Sequence, residues 1–207
     1  MYEALQASIL QGKVEETRTL TKNFLKMGKK PSDILNGGLI AGMDVVGGRF
    51  KCYEMYLPEV LQSAAAMKGA MELLKPLLTA ADGISGGKII MATIEGDVHD
   101  IGKNLVTMML EGAGFQVVDL GVDVPVRKIV ETWRAEGADL IGISALLTTT
   151  MLAIEDAIRV LRKEAAGSKV MIGGAPITQE FAAKVGADGF APDALRAIPL
   201  AKQLIGR

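Results

Sequence analysis

The 207-residue chain has one cysteine and one histidine, and these two low counts exclude several kinds of site. Cys52 cannot form a disulfide within the chain, which is typical of proteins kept in a reducing cytoplasm. Because His99 is the only imidazole, a zinc site would have to use carboxylates or Cys52 as its other ligands, and the sequence shows no such cluster. A histidine-based catalytic triad would also have to use His99.

A surplus of charge and a long apolar run are missing as well. The 23 Lys and Arg residues nearly balance the 24 Asp and Glu residues, so no basic surplus would draw the chain to nucleic acid or to an anionic membrane. The longest apolar stretch, near Leu140 to Leu147, is too short to span a bilayer, and the first residues do not resemble a signal peptide. We therefore expect a cytoplasmic globular protein with neither nucleic acid nor membrane as a partner.

The first part of the chain, up to about Leu78, has apolar residues at helical spacing and predicts a small antiparallel bundle of four helices. The helices are predicted around Leu5 to Leu10, from Val14 to about Gly28, from Pro31 to about Gly48, and from Pro58 through Leu74. Glycines 37, 38, 42, 47 and 48 each weaken the third helix by about 1 kcal/mol relative to alanine. The close approach of another helix or of a ligand could offset that cost.

A flexible stretch of small residues at 80–87 is predicted to be a linker, and strands alternate with helices after it. The strands are predicted at Lys88–Thr93, Phe115–Val118, Leu140–Ser144, Lys169–Ile172 and Asp188–Phe190. This alternation predicts an α/β fold, a five-stranded parallel Rossmann-like sheet with flavodoxin-like strand order. The predicted domains are a helical cap at 1–86 and a Rossmann-like domain at 87–207, with a ligand outside the carboxyl ends of the strands.

The loop after the first predicted strand carries the most specific chemistry. Asp97 and His99 are two positions apart, so in an extended backbone their side chains share a face, and the carboxylate can orient the imidazole. A carboxylate behind the imidazole is the usual arrangement for a metal-bound histidine. Alternatively, Glu95, Asp97 and Asp100 form a cation site, or these acids are merely solvated.

Asp97, His99 and Gly102 match the DxHxxG motif, and here the chain resembles cobalamin-binding domains. Two further motifs follow at the ends of the third and fourth predicted strands, the SxL element from Ser144 to Leu146 and the pair Gly173–Gly174. Upstream, the segment from Gly42 through Phe50 to Leu57 and beyond is similar to the helical cap of methionine synthase and of corrinoid proteins in one-carbon methyltransferase systems. The resemblance covers nearly the whole chain.

The resemblance implies a role for each matching position. His99 would be the axial cobalt ligand, replacing the cofactor's own base in a base-off, His-on form, and Asp97 and Thr150 would complete a proton relay behind it. The nucleotide tail would lie beside Gly102, Ser144, Leu146, Gly173 and Gly174. The other residues expected to contact the cofactor are Gly96, Val98, Asp100, Ile101, Thr148, Phe190 and Ala191, with Phe50 and Leu57 of the cap covering the methyl-bearing face.

The function implied is that of a methyl carrier rather than an enzyme active alone. A substrate-specific methyltransferase would load the methyl group, giving methylcobalamin, a second methyltransferase would deliver it to tetrahydrofolate or a thiol, and a reductive activase would restore the cofactor. Two positions depart from the family: Tyr53, preceded by Cys52, stands where glycine is frequent, and Phe190 where tyrosine is frequent. Alternatives are a cobalamin-sensing regulator, the cobalamin subunit of a mutase, and a cofactor-free signalling domain.

Overall fold

A computed structural model describes residues 1–78 and 87–206. The described residues form two compact units, 1–78 with 111–115 (the first unit) and 87–110 with 116–206 (the second unit). The predicted linker lies outside the described residues except at Gly87, and the predicted domain boundary between residues 86 and 87 stays a prediction.

The helices of the first unit confirm the predicted helical bundle. They are α1 (Glu3–Leu10), α2 (Val14–Lys26), α3 (Pro31–Ile34), a π-helical stretch (Leu35–Ile40), α4 (Ala41–Lys51), α5 (Leu57–Leu74) and a 3-10 turn (Lys75–Leu77). The backbone remains in the right-handed helical region at Leu35 and Ala41, so α3, the π-helical stretch and α4 are one continuous segment. That segment is the third predicted helix, and it continues three residues past Gly48.

Close packing of α1 explains some of the glycines in that segment. A Cβ atom on Gly38 would collide with the side chain of Leu5, and one on Gly42 would lie 3.1 Å from Cβ of Ile9. Leu5 and Ile9 are fully buried. Gly47 and Gly48 are different, because a Cβ atom there would meet no described atom within 4 Å. Helix packing therefore accounts for Gly38 and Gly42 but not for Gly47 and Gly48.

The second unit is the predicted parallel sheet with helices between its strands. Its strands are β1 (Lys88–Thr93), β2 (Gln116–Asp119), β3 (Leu140–Ser144), β4 (Lys169–Gly173) and β5 (Gly189–Phe190). Its helices are α6 (Ile101–Gly112), whose last two residues belong to the first unit, α7 (Val126–Glu136), α8 (Met151–Glu164), α9 (Gln179–Val185) and α10 (Ala194–Ile205). The strand order is β2-β1-β3-β4-β5 with every pairing parallel, which confirms the flavodoxin-like order.

The topology places a binding crevice at the carboxyl ends of β1 and β3. The chain leaves β1 for β2 on one side and returns to β3 on the other, so the connections after these two neighbouring strands diverge. One face of the sheet is sealed by an apolar cluster that includes Ile143, Ile158 and Ile172. On the other face, Met91, Gly142 and Met171 lie side by side across β1, β3 and β4.

Side chains cap the starts of the last two helices. The hydroxyl of Thr178 accepts a hydrogen bond from the amide of Phe181, so α9 begins directly after it. The carboxylate of Asp193 accepts a hydrogen bond from the amide of Arg196 at the start of α10. Within residues 1–78 and 87–206, no helix is long and apolar enough to cross a membrane.

Candidate functional site

The loop between β1 and α6 is fixed by hydrogen bonds from both sides. The Thr93 hydroxyl donates to the His99 carbonyl oxygen at 3.0 Å. Gly96, at φ +82°, donates its amide to the Asp123 carboxylate at 2.7 Å, and the amide of Asp123 donates to the Asp97 carbonyl oxygen at 2.9 Å. Glycine suits position 96 because its φ is positive. The backbone around His99 is therefore held before any ligand arrives.

The Asp97 carboxylate is fully buried and joins the loops that follow β1 and β3. Its Oδ1 accepts from the His99 amide at 3.0 Å and lies 2.8 Å from His99 Nδ1. Its Oδ2 accepts from the amides of Leu146 and Leu147 at 2.7 and 3.3 Å. Oδ2 also accepts from the Thr150 hydroxyl at 2.9 Å. One oxygen thus orients the imidazole, and the other binds the start of α8 and the loop before it.

These hydrogen bonds fix the charge of Asp97 and the tautomer of His99. Burial alone would raise the pKa of Asp97, but the bonds from Leu146, His99 and Thr150 outweigh it and hold this pKa well below its ordinary value. The carboxylate is therefore ionised at neutral pH and accepts the proton on Nδ1. In the neutral imidazole, Nε2 then keeps its lone pair for a ligand.

A cavity of about 550 Å³ opens beside His99 on the sheet face that carries Met91, Gly142 and Met171. Its lining grades from exposed to buried: Val98 and Ile101 are 69% and 85% exposed, whereas Met91 and Met171 are each 3% exposed. The mouth therefore lies at the carboxyl ends of the strands, next to His99, and the floor lies in the middle of the sheet. Residues of α6 and α10 form the side walls, so we call the cavity the slot.

Three glycines predicted at the site line the slot, and glycine occupies these positions for two different physical reasons. A Cβ atom on Gly174, at φ +134°, would collide with the Ala145 carbonyl oxygen, and one on Gly173 would lie 2.7 Å from the Ala191 carbonyl oxygen. The fold itself therefore requires both. Gly102 is different because a Cβ atom there would meet no described atom within 4 Å. A side chain at position 102 would instead project into free space at the wall of the slot.

The structure brings most of the predicted site residues to the slot. Those lining it are Val98, His99, Asp100, Ile101, Gly102, Ser144, Leu146, Gly173, Gly174 and Ala191. Gly96, Asp97 and Thr150 lie behind the lining as its support. Thr148 is exposed outside it, and Phe190 packs partly against the apolar cluster of the sheet. Phe50 and Leu57 belong to the first unit, half-buried and 39% exposed respectively, and their covering role stays a prediction.

The alternative metal sites do not assemble. Among the described residues, no three His, Cys, Asp or Glu side chains are placed to hold a metal ion, so Glu95, Asp97 and Asp100 form no cation site. Cys52 is exposed at the end of α4 in the first unit. His99 thus presents one nitrogen ligand without neighbouring protein ligands. This suits a metal whose other ligands belong to a bound macrocycle.

Sequence patterns missed the floor of the slot and several supports of the loop. Met91, Gly142 and Met171 read only as strand residues, because their alignment depends on the register between strands. The amides of Leu146 and Leu147 carry no sequence signal at all. Asp123 could have been suspected from its position near Gly121 after the second strand, but its bond to Gly96 spans 27 residues.

Comparisons with known proteins agree along the whole chain. A family model described as B12 binding domain matches residues 87–198, and a second model with the same description matches residues 1–75. A dimethylamine corrinoid protein from Methanosarcina barkeri is 46% identical over 179 residues, covering 85% of this chain and 84% of that protein. A corrinoid protein from Desulfitobacterium hafniense is 38% identical over 212 aligned residues, covering 100% and 98%.

A solved structure is also similar over nearly all of this chain. It is the methanol:cobalamin methyltransferase complex MtaBC from Methanosarcina barkeri, matched with a TM-score of 0.85 and 30% identity. The match covers 98% of this chain and 78% of that chain. Its extent supports the same arrangement of a helical segment followed by a parallel sheet.

Proposed function

The chain belongs to the family of corrinoid proteins with B12 binding domains, and we propose that it holds its corrinoid with His99 beneath the cobalt while a methyl group is carried on the opposite face. The resemblance read from the sequence motifs, and the corrinoid as ligand, are thereby confirmed. When bound, the corrinoid supplies a cobalt that can accept and release a methyl group.

The observation that carries the proposal is the bond between Asp97 and His99. The buried carboxylate, whose Oδ1 lies 2.8 Å from His99 Nδ1, holds the proton on Nδ1 and leaves Nε2 as the ligand atom at the mouth of the slot. A hydrogen-bonded carboxylate also makes the imidazole a more basic ligand. Thr150 donates to the other carboxylate oxygen. When the charge on the cobalt changes, the hydrogen bonds among His99, Asp97 and Thr150 can adjust the electron density on the imidazole.

The slot provides a place for a displaced nucleotide tail. Its mouth adjoins His99, its volume of about 550 Å³ lies within the usual range of small-ligand sites, and Gly102 leaves one wall open. With the tail in the slot, the cofactor's own base cannot compete with His99 for the cobalt. We propose the base-off, His-on form on these grounds, with Phe50 and Leu57 near the methyl-bearing face.

The proposed partners are methyltransferases on each side of the carrier. One loads the methyl group from a small donor, a second passes it to tetrahydrofolate or a thiol, and a reductive activase restores the cofactor. We propose that the partner enzyme selects the donor, since a relative named for dimethylamine and a similar structure named for methanol both match most of this chain. A cytoplasmic location is part of the proposal, because the lone Cys52 can form no disulfide within the chain.

Isotope labelling can test the axial ligand directly, because His99 is the only histidine in the chain. The untagged protein, made with nitrogen-15 histidine, is loaded with hydroxocobalamin and reduced to the Co(II) state. Electron paramagnetic resonance should then show the splitting of a nitrogen-15 ligand instead of nitrogen-14, and His99→Ala should lose this splitting. Nitrogen-15 lysine is the matched control and should change nothing. A spectrum insensitive to labelled histidine contradicts the assignment.

A further inference from the structure

The floor of the slot is an apolar surface made by three strands in register. Met91 pairs with Gly142, and Gly142 pairs with Met171, so the three residues lie in one row across β1, β3 and β4. A Cβ atom at Gly142 would collide with Sδ of Met91 and lie 3.2 Å from Cε of Met171. The two thioethers therefore flank the glycine closely and leave a flat patch of sulfur and methyl groups.

Polar side chains along the slot lie away from this floor or are already bonded. His99, Asp100 and Asp193 are at its mouth, and Asp193 caps α10 through the amide of Arg196. Ser144 lies two residues beyond Gly142 on β3, one layer nearer the mouth. Lys103 lines the slot, and its partner Asp119 pairs with Met91 at the β2 side of the floor. The three hydrogens of its ammonium group are already donated, to both oxygens of Asp119 and to Asn104 at 2.6–2.7 Å.

A lower base that reaches the floor would therefore meet no free hydrogen-bonding side chain. The base is the far end of the nucleotide tail, so it enters deepest when the tail enters from the mouth beside His99. Thioether groups make favourable contacts with aromatic rings of any kind. They cannot replace the water that hydrogen-bonds the amino group and ring nitrogens of a purine, and leaving such buried groups unpaired weakens binding.

We infer that Met91, Gly142 and Met171 make this protein selective for corrinoids by their lower base, favouring an apolar alkylbenzimidazole or phenol over a purine. The inference rests on the proposed function, since it needs the tail in the slot. The expected preference is about tenfold to a hundredfold in Kd, which is the cost of one or two unpaired polar groups.

A binding panel on the wild-type protein tests the inference without any variant. Cobalamin, which carries dimethylbenzimidazole, is compared with pseudocobalamin, which carries adenine, by absorbance titration, and p-cresolylcobamide is the third ligand. Cobalamin and p-cresolylcobamide should both bind more tightly than pseudocobalamin. The comparison of cobalamin with pseudocobalamin is biased against the inference, because adenine coordinates cobalt more weakly and is displaced more easily, so this pair is decisive. Equal binding, or tighter binding of pseudocobalamin, overturns it.

Two variants of similar size identify the floor as the cause. Met171→Gln places an amide beside Gly142 and should reduce the preference for cobalamin at least severalfold, whereas Met171→Leu keeps the floor apolar and should retain it. Because each variant is judged by a ratio of two ligands, a general loss of affinity cancels. If both variants change the ratio of the two affinities equally, the apolar floor does not determine which lower base is preferred.

The labelling experiment separates the two possible failures. If the nitrogen-15 splitting is present for cobalamin and pseudocobalamin but their affinities are equal, the inference about the floor is wrong and the proposed function stands. If the preference is present but the splitting is absent, the axial ligand is wrong and selection by the floor stands. If neither cobalamin nor pseudocobalamin binds, both are wrong.

Discussion

Two glycines of the slot give the same signal in the sequence and have different physical causes. Gly174 lies where the chain approaches itself so closely that a Cβ atom would collide with the Ala145 carbonyl oxygen. Gly102 lies at the start of α6 with no described atom within 4 Å of such a Cβ. Gly174 is therefore explained by the fold, and the simplest reason for Gly102 is the ligand. The comparison divides the site into parts that build the sheet and parts kept open for the corrinoid.

The largest expected effect is on the stability of the fold. Gly174→Ala adds a collision with backbone to a φ of +134°, and together these should lower the free energy of unfolding by about 4 kcal/mol. The matched control is Gly186→Ala, where φ is also positive but nothing lies within 4 Å, and about 1 kcal/mol is expected. Urea unfolding of the cofactor-free protein can be followed by the fluorescence of Trp133, the only tryptophan. Equal effects of the two substitutions would show that the collision with the Ala145 carbonyl oxygen is not what requires glycine at position 174.

Asp97 serves both the fold and the ligand site, because one oxygen secures the loop after β3 and the other orients His99. Asp97→Asn should cost about 2–3 kcal/mol, since a neutral amide cannot accept all the bonds of the carboxylate. The folded-state pKa lies below the unfolded value of about 3.9, so this carboxylate stabilises the fold fully above that pH and progressively less as the pH falls below it.

The part of the stability difference between wild type and Asp97→Asn that comes from this shift should therefore shrink as the pH falls from about 5 to 3. Urea unfolding at a series of pH values measures it. Asp188, whose pKa is also lowered, is present in both proteins and cancels from the difference. Curves that stay parallel down to pH 3 would show that the Asp97 carboxylate is not specially stabilised.

The smallest effect in free energy is expected at Gly102, and it should appear in binding rather than folding. In the series Gly102→Ala, Gly102→Val and Gly102→Leu, affinity for cobalamin should fall as the side chain grows, by about tenfold or more at leucine. Stability should be unchanged or rise by up to about 1 kcal/mol, because glycine is a poor helix former. Titration and urea unfolding of the same samples provide both numbers. A loss of stability with unchanged affinity would show that the fold, and not the ligand, requires glycine at position 102.

The sequence was sufficient for the order of elements and for the order of strands. Continuous apolar runs such as those in Leu140–Ser144 and Lys169–Gly173 are distinctive because a parallel sheet buries both faces. The π-helical stretch Leu35–Ile40 was not predictable in this way. Apolar periodicity reports which face of a helix is buried, and it does not report a local shift in hydrogen-bond register.

The candidate site was predictable only in part. The contact between Asp97 and His99 follows from a spacing of two residues, and the resemblance to cobalamin-binding domains implied Thr150 as a third member. The backbone donors from Leu146 and Leu147 are independent of side-chain type, so no pattern could mark them. The floor depended on strand register, which sets Met91 beside Gly142 although 51 positions separate them in the chain.

The bonds to Asp97 also have a consequence for how the protein is made. They join this carboxylate to amides and a hydroxyl 49, 50 and 53 positions further along the chain. Contacts so distant in sequence form only after β1 and β3 have paired, and closing such long loops is slow compared with forming a local helix. A nascent chain that ends before β3 has the DxHxxG motif but cannot orient its imidazole. Competence to bind the corrinoid therefore appears late in folding, when the sheet is already assembled.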